Sequence, residues 1–86
     1  MSWYVYMLRC RDGTLYTDMT DDVARRLEAH NAGKGAKYTR GRGPVTVVYQ
    51  QQCADKSAAL KREHAIKALT RAQKLALIAS SQKENL

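Results

Sequence analysis

Residues Trp3 to Thr20 read WYVYMLRCRDGTLYTDMT. Trp3, Val5 and Met7 alternate with Tyr4, Tyr6 and Leu8, aromatic and branched residues that predict a β-strand, and Leu15-Tyr16-Thr17 predicts a second, shorter one. Asp12-Gly13 marks the tight turn between them, so the stretch is a β-hairpin. Two loops are compatible with it. A two-residue loop of Asp12 and Gly13 pairs Arg9 with Tyr16 and puts Tyr6 and Tyr16 on opposite faces. A three-residue loop, Arg11-Asp12-Gly13, with Gly13 in the left-handed conformation, pairs Cys10 with Thr14, Leu8 with Tyr16 and Tyr6 with Asp18. The two tyrosines then share a face. Strand tyrosines are commonly amphipathic packing residues, and on local pattern alone that is the plainer reading of both.

Working outward, the 86 residues suffice for one domain with a modest core, expected over 1–79, with 80–86 a polar tail expected to fray. Fifteen Lys and Arg against eight Asp and Glu leave a formal charge of +7, a balance suited to a polyanionic partner such as nucleic acid. Cys10 and Cys53 are too few for a disulfide scaffold or a cysteine-based zinc site and read as reduced thiols on strands. There is no long apolar run, and MSWYVYMLRC lacks the order of a signal peptide. A cytoplasmic protein without membrane contact or small-molecule cofactor, and a monomer by default, is the expectation.

After the hairpin, Thr20-Asp21-Asp22 predicts a helix start with Thr20 as N-cap and two acids in the first turn. The helix is expected to run to about Asn31, with Val23 and Leu27 on its apolar stripe, Gly33 as stop signal, and Arg26 and His30 one turn apart on a shared face. GKGAKYTRGRG, residues 33–43, holds four glycines and four cations without an acid. Lys34, Lys37, Arg40 and Arg42 supply charge for phosphate, glycine permits close backbone approach, and Tyr38 can stack on a base. Its spacing is not that of a P-loop.

Pro44 opens Val45-Thr46-Val47-Val48-Tyr49, β-branched enough to predict a central strand paired with the first. Asp55 is placed to cap a helix across 58–69, in which Glu63 sits beside the apolar stripe of Ala59, Leu60 and Ile66. The plainer reading of Glu63 is an i,i+4 pair with Lys67. Thr70 and Gln73 form a capping box for a final short helix carrying Leu75, Leu77 and Ile78. The fold class is therefore α+β: a three-stranded sheet flanked by helices, in the order β-β-α-β-α-α.

Together these segments resemble the GIY-YIG nuclease family, specifically its small single-domain bacterial members. Tyr4-Val5-Tyr6 stands in the place of the GIY triplet and Leu15-Tyr16-Thr17-Asp18 in the place of the YIG triplet. Arg25-Arg26-Leu27-Glu28-Ala29-His30 on the first helix, GKGAKYTRGRGPV and AALKREHAIKAL around Glu63 complete the match, over about residues 3–79. The resemblance implies an antiparallel sheet and metal-dependent hydrolysis of a nucleic-acid phosphodiester, with Mg2+ or Mn2+. It implies that Tyr6 is the general base beside the attacking water and that Tyr16 positions water or phosphate. By the same resemblance Arg26 neutralises the phosphate, His30 stands near the leaving group, and Glu63 holds the metal. The expected substrate is single-stranded or structured DNA, with RNA left open, in repair or recombination.

Two departures matter. Asp18 replaces the glycine of the second triplet and brings a carboxylate opposite Tyr6 in the three-residue-loop register, where it would repel phosphate and raise the tyrosine pKa, or else add a metal ligand. Impairment of cleavage is the expected effect, and it defines the alternative function: a nucleic-acid-binding module with weakened or lost hydrolysis. The asparagine that larger members carry after the metal-binding helix has no counterpart here, since Asn85 falls in the tail.

Overall fold

A computed structural model of the chain describes residues 2–35 and 39–84, with the side chains of 83 and 84 excepted. Lys37 and Tyr38, two of the expected loop contacts, lie outside the described residues. The elements are β1 (Trp3–Arg9), β2 (Leu15–Thr20), α1 (Val23–Asn31), β3 (Thr46–Cys53), α2 (Lys56–Lys67) and α3 (Arg71–Glu84). The three strands form one antiparallel sheet in the order β2-β1-β3.

The hairpin adopts the three-residue loop. Cys10 N–H donates to Thr14 O at 2.9 Å, Gly13 N–H donates to Cys10 O at 2.9 Å, and Gly13 takes φ +85°. Asp12 fastens the turn by accepting from the backbone and hydroxyl of Thr14. The resulting register sets Leu8 opposite Tyr16 and Tyr6 opposite Asp18. Because side chains alternate across a strand, Tyr6, Leu8, Tyr16 and Asp18 share one face.

β1 is the central strand, and Val5 to Leu8 are fully buried because both of its faces are covered. β3, whose branched residues predicted a central position, is an edge strand running on through Gln50-Gln51-Gln52. A branched composition reports fit to a half-buried pleat, which an edge strand also offers. A bulge between Met7 and Leu8 shifts its register, so that Val48 and Tyr49 both join one side of the sheet and Val47 the other.

On one face Val5, Met7 and Tyr49 pack against Ala59 and Ile66 of α2 and Ile78 of α3. On the other, Tyr6, Leu8, Cys10 and Val45 are covered by Val23 and Leu27 of α1. Burial of each large aliphatic side chain in these layers contributes about 1.5–3 kcal/mol.

The helix ends sharpen the sequence reading. Asp22, not Thr20, caps α1, its Oδ1 accepting from Arg25 N–H at 3.1 Å; Thr20 instead accepts from Asp22 N–H, fixing the turn one step earlier. Gly33, at φ +76°, ends α1 as expected, with Lys34 N–H reaching back to Ala29 O at 2.8 Å. Asp55 caps α2 as expected, and the helix spans 56–67. Thr70 and Gln73 bond reciprocally at the start of α3. That helix continues to Glu84, past Ser80 where a frayed tail was expected, because nothing from Ser80 to Glu84 is a glycine or proline that would interrupt it. Among the described residues no helix is long and apolar enough to cross a membrane.

Candidate active site

The face shared by Tyr6 and Tyr16 lies beneath α1, whose residues Arg26 and His30 project onto it one turn apart. His30, only 1% exposed, is wedged against both rings, with centroids 6.2 Å from Tyr6 and 5.3 Å from Tyr16 in edge-on geometry. Its Nε2 lies 3.0 Å from the Tyr6 hydroxyl, and its Nδ1 lies 2.8 Å from Thr39 Oγ1. His30 thus meets both tyrosines, Tyr6 through its Nε2 and Tyr16 through the edge-on ring contact.

Arg26 closes the other side. Its Nη2 donates to Asp18 Oδ2 at 3.3 Å and to Gly35 O at 3.3 Å, and its charge acts on the nearby Tyr6 hydroxyl. Asp18 Oδ2 accepts from the Tyr16 hydroxyl at 3.0 Å, and its Oδ1 accepts from Met19 N–H at 2.8 Å. The residue in the place of the motif glycine is thus the hub of the polar cluster: one carboxylate oxygen holds both Arg26 and Tyr16.

Glu63 arrives from α2, on the opposite side of the sheet. It is buried, ion-pairs with Lys67 at 3.6 Å, and interacts electrostatically with Asp18, a proximity that the edge position of β2 makes available. The plain i,i+4 pair and the interaction with the site are therefore both present.

Each protonation state follows from these contacts. Burial opposes ionisation of Asp18, but the Met19 N–H, the Tyr16 hydroxyl, the Glu63 carboxyl and the Arg26 charge outweigh it and hold its pKa below the usual carboxylate range. Burial and then the neighbouring Asp18 push Glu63 upward, against the pull of Lys67. As pH falls, Glu63 therefore takes up a proton before Asp18 does. Burial raises Tyr6, with the neighbouring Arg26 counteracting it; burial followed by the Asp18 charge raises Tyr16 further. Burial and then the Arg26 charge lower His30, so the imidazole is neutral at pH 7. The site thus holds two phenols, a neutral imidazole, a guanidinium and the two acidic side chains of Asp18 and Glu63.

Of the loop cations, Lys34 and Arg40 are exposed, whereas Arg42 is drawn into an ion pair with Asp12 at the hairpin turn. Arg11 N–H donates to Arg42 O at 2.8 Å, and the Asn31 amide brackets Val45 through both its N–H and its carbonyl, which fastens the two ends of the loop. Two contributors escaped the sequence reading. Thr39 was one residue in a glycine- and cation-rich run, yet it is 1% exposed and bonded to His30. Gly35 is pressed so closely on that ring that a Cβ there would come 2.8 Å from His30 Cα. Nothing in the sequence set Thr39 apart from the other uncharged residues of the loop.

An architecture of this kind, with two hairpin tyrosines, a helix arginine and a glutamate from the next helix, defines a nuclease-type domain. The family model of the GIY-YIG catalytic domain matches residues 2–76, and the chain belongs to the GIY-YIG family. It is 51% identical over 83 residues to the UPF0213 protein DP2720 of Desulfotalea psychrophila, covering 95% of this chain and 76% of that one. It is 57% identical over 76 residues to the UPF0213 protein NP_0776A of Natronomonas pharaonis, covering 88% and 89%. The solution structure of the UPF0213 protein BH0048 from Bacillus halodurans superposes with a TM-score of 0.60 at 47% identity, over 92% of this chain and 84% of that one. That of EF2693 from E. faecalis gives 0.60 at 40% identity, over 90% and 83%. The domain implies nuclease-type activity on nucleic acid, and nucleases of this family are generally divalent-metal dependent.

Proposed function

We propose that the chain is a metal-dependent DNA endonuclease acting on single-stranded or branched substrates in repair or recombination, with its rate held down by Asp18. The observation that carries this reading is the convergence of Tyr6, Tyr16, Arg26 and His30 on one polar cluster that Glu63 joins from across the sheet edge.

Tyr6 is neutral, so it serves as a base only if its own proton has somewhere to go. Neutral His30 supplies that acceptor 3.0 Å away. Tyr6 is fully buried beneath α1, so the step begins with Arg26 turning from Asp18 onto the phosphate and opening the Tyr6 hydroxyl to water. As a water proton then passes to the Tyr6 oxygen, the Tyr6 proton passes to His30 Nε2, and the hydroxide forms its bond to phosphorus while the P–O bond to the leaving oxygen breaks. Arg26 offsets the charge that builds on the phosphoryl oxygens, and Tyr16 orients water or phosphate by its hydroxyl. Lys34 and Arg40, with Lys37, Tyr38 and Arg42 of the same loop, hold the strand by its backbone.

Glu63 would hold Mg2+ or Mn2+, with Asp18 beside it. Among the described residues no cluster of three or more His, Cys, Asp or Glu exists, but a hard cation needs only one or two carboxylates when water and substrate phosphate complete its shell. When bound, such an ion supplies positive charge to the phosphoryl oxygens and helps the leaving oxygen depart.

The ion pair of Asp18 with Arg26 favours a second reading, a module that binds nucleic acid without cutting it. Cleavage of single-stranded, duplex and branched DNA with Mg2+ or Mn2+ by the native chain, Asp18→Gly and Glu63→Ala separates them. Metal-dependent cutting by the native chain, lost in Glu63→Ala, supports the endonuclease, whereas cutting by Asp18→Gly and not by the native chain supports the module. Binding without cutting by any variant supports the module, and failure to bind DNA at low salt removes both.

A further inference from the structure

Loop 33–43 makes two contacts that its charge does not explain. Gly35 O accepts from Arg26, and Thr39 Oγ1 bonds His30 Nδ1 at 2.8 Å while fully buried. We propose that Thr39 is a positioning residue: it holds His30 as the Nδ1–H tautomer, leaving Nε2 free to accept from Tyr6, and Gly35 provides the clearance in which the ring takes that pose. The proposal rests on the reading of Tyr6 and His30 given above.

The hydrogen-bond donors along the chain fix its direction. A phenol is a stronger acid than an aliphatic alcohol, so the Tyr6 hydroxyl donates to the imidazole and the imidazole N–H donates to Thr39. The Arg26 guanidinium already directs its positive charge at the Tyr6 oxygen, so an Nε2–H would press a second positive group onto it. Proton transfer to Nε2 then generates an imidazolium whose Nδ1–H keeps an oxygen acceptor. A histidine whose far nitrogen lacked a partner would have to bury that N–H unsatisfied.

Gly35 has a steric part. A Cβ there would fall inside contact distance of the His30 ring and 2.8 Å from its Cα, where the backbone cannot give way as a flexible side chain would. The segment that carries Lys34 and Arg40 toward nucleic acid therefore also forms the rear wall of the site, and strand binding and base geometry are built into one loop.

Two-bond 1H–15N correlation of the full chain reads the tautomer directly, with exposed His64 as internal reference. The native chain and Thr39→Ser are expected to show His30 protonated at Nδ1 alone. Thr39→Val is expected to show a mixture of tautomers, and Gly35→Ala a displaced His30 resonance. Single-turnover cleavage, measured in the Asp18→Gly background, is expected to fall about 10-fold or more in Thr39→Val, as when the outer partner of a functional histidine is removed, with DNA affinity unchanged and Thr39→Ser restoring the rate. An Nε2–H tautomer in the native chain, or an unaltered tautomer in Thr39→Val, overturns the proposal whatever the activity. If the tautomer responds as stated but no variant cuts DNA, the assignment of Thr39 stands and the endonuclease reading fails.

Discussion

Replacing Asp18 by asparagine retains its size while removing the charge that engages Arg26. In the native chain one oxygen of Asp18 accepts from Arg26 at 3.3 Å and from Tyr16 at 3.0 Å, the two donors a substrate phosphate would use. A phosphate oxygen taking its place at Arg26 would carry its charge to within about 5 Å of the Asp18 carboxylate, and at an effective dielectric near 20 the repulsion is about 3 kcal/mol. Arg26 and Asp18 retain 33% and 23% of their side-chain exposure, so solvent screening reduces that to roughly 1.5–3 kcal/mol. Asp18→Asn is therefore expected to increase DNA affinity or kcat/KM about 10- to 100-fold, and Asp18→Gly, which also clears the space, at least as much. Fluorescence anisotropy with a labelled branched oligonucleotide, paired with single-turnover cleavage in Mg2+, measures both quantities. Equal or weaker binding and cutting by Asp18→Asn would show that the carboxylate does not compete with phosphate, and the reasoning about this residue would be wrong.

Other perturbations probe separate parts of the account. The pKa of His30 is lowered in the folded chain from an ordinary value near 6.5, so the unfolded chain binds the extra proton first: its stabilising contribution is complete above pH 6.5 and is lost as pH falls toward the folded value. Thermal unfolding between pH 5 and 8 should therefore show an acid-side decline that His30→Gln lessens. Gly13 sits at φ +85° with open space around its Cα, so Gly13→Ala meets no clash and should cost about 1–2 kcal/mol of conformational energy, read from urea unfolding; a neutral substitution would contradict the turn. Lys34 and Arg40 are exposed, and removing either is expected to reduce the slope of log affinity against log salt by about 0.7–0.9 with similar losses on unrelated sequences. A loss confined to one sequence would mean base recognition rather than backbone contact.

The hairpin was legible because a single left-handed glycine decides which rings share a face. Once Gly13 is placed at positive φ, the Tyr6–Asp18 pairing follows from strand periodicity. Helix spacing likewise put Arg26 and His30 together, and amphipathicity put Glu63 at the margin of the core. Those are local rules. What they could not supply is how a residue is used after the elements pack. Asp18 was recognisable as an intruder in the motif, and its bonds to Tyr16 and Met19 are local to β2, but its grip on Arg26 depends on α1 lying over the hairpin. Thr39 was invisible because its partner is nine residues back across a glycine-rich loop, where no periodicity applies. The edge position of β3 was missed for a related reason: branched residues suit a pleat at either place, and only the helices packed on both sides of β1 decide which strand lies inside.

The most direct test of the account is a crystal structure of Asp18→Asn with Mn2+ and a short DNA whose scissile linkage resists hydrolysis, read by the anomalous signal of the metal. The account predicts a manganese peak at the Glu63 carboxylate and a backbone phosphate on Arg26, with Tyr6 still bonded to His30. A metal bound away from Glu63, with Arg26 holding only residue 18 and Gly35 and the DNA lying elsewhere, would contradict it.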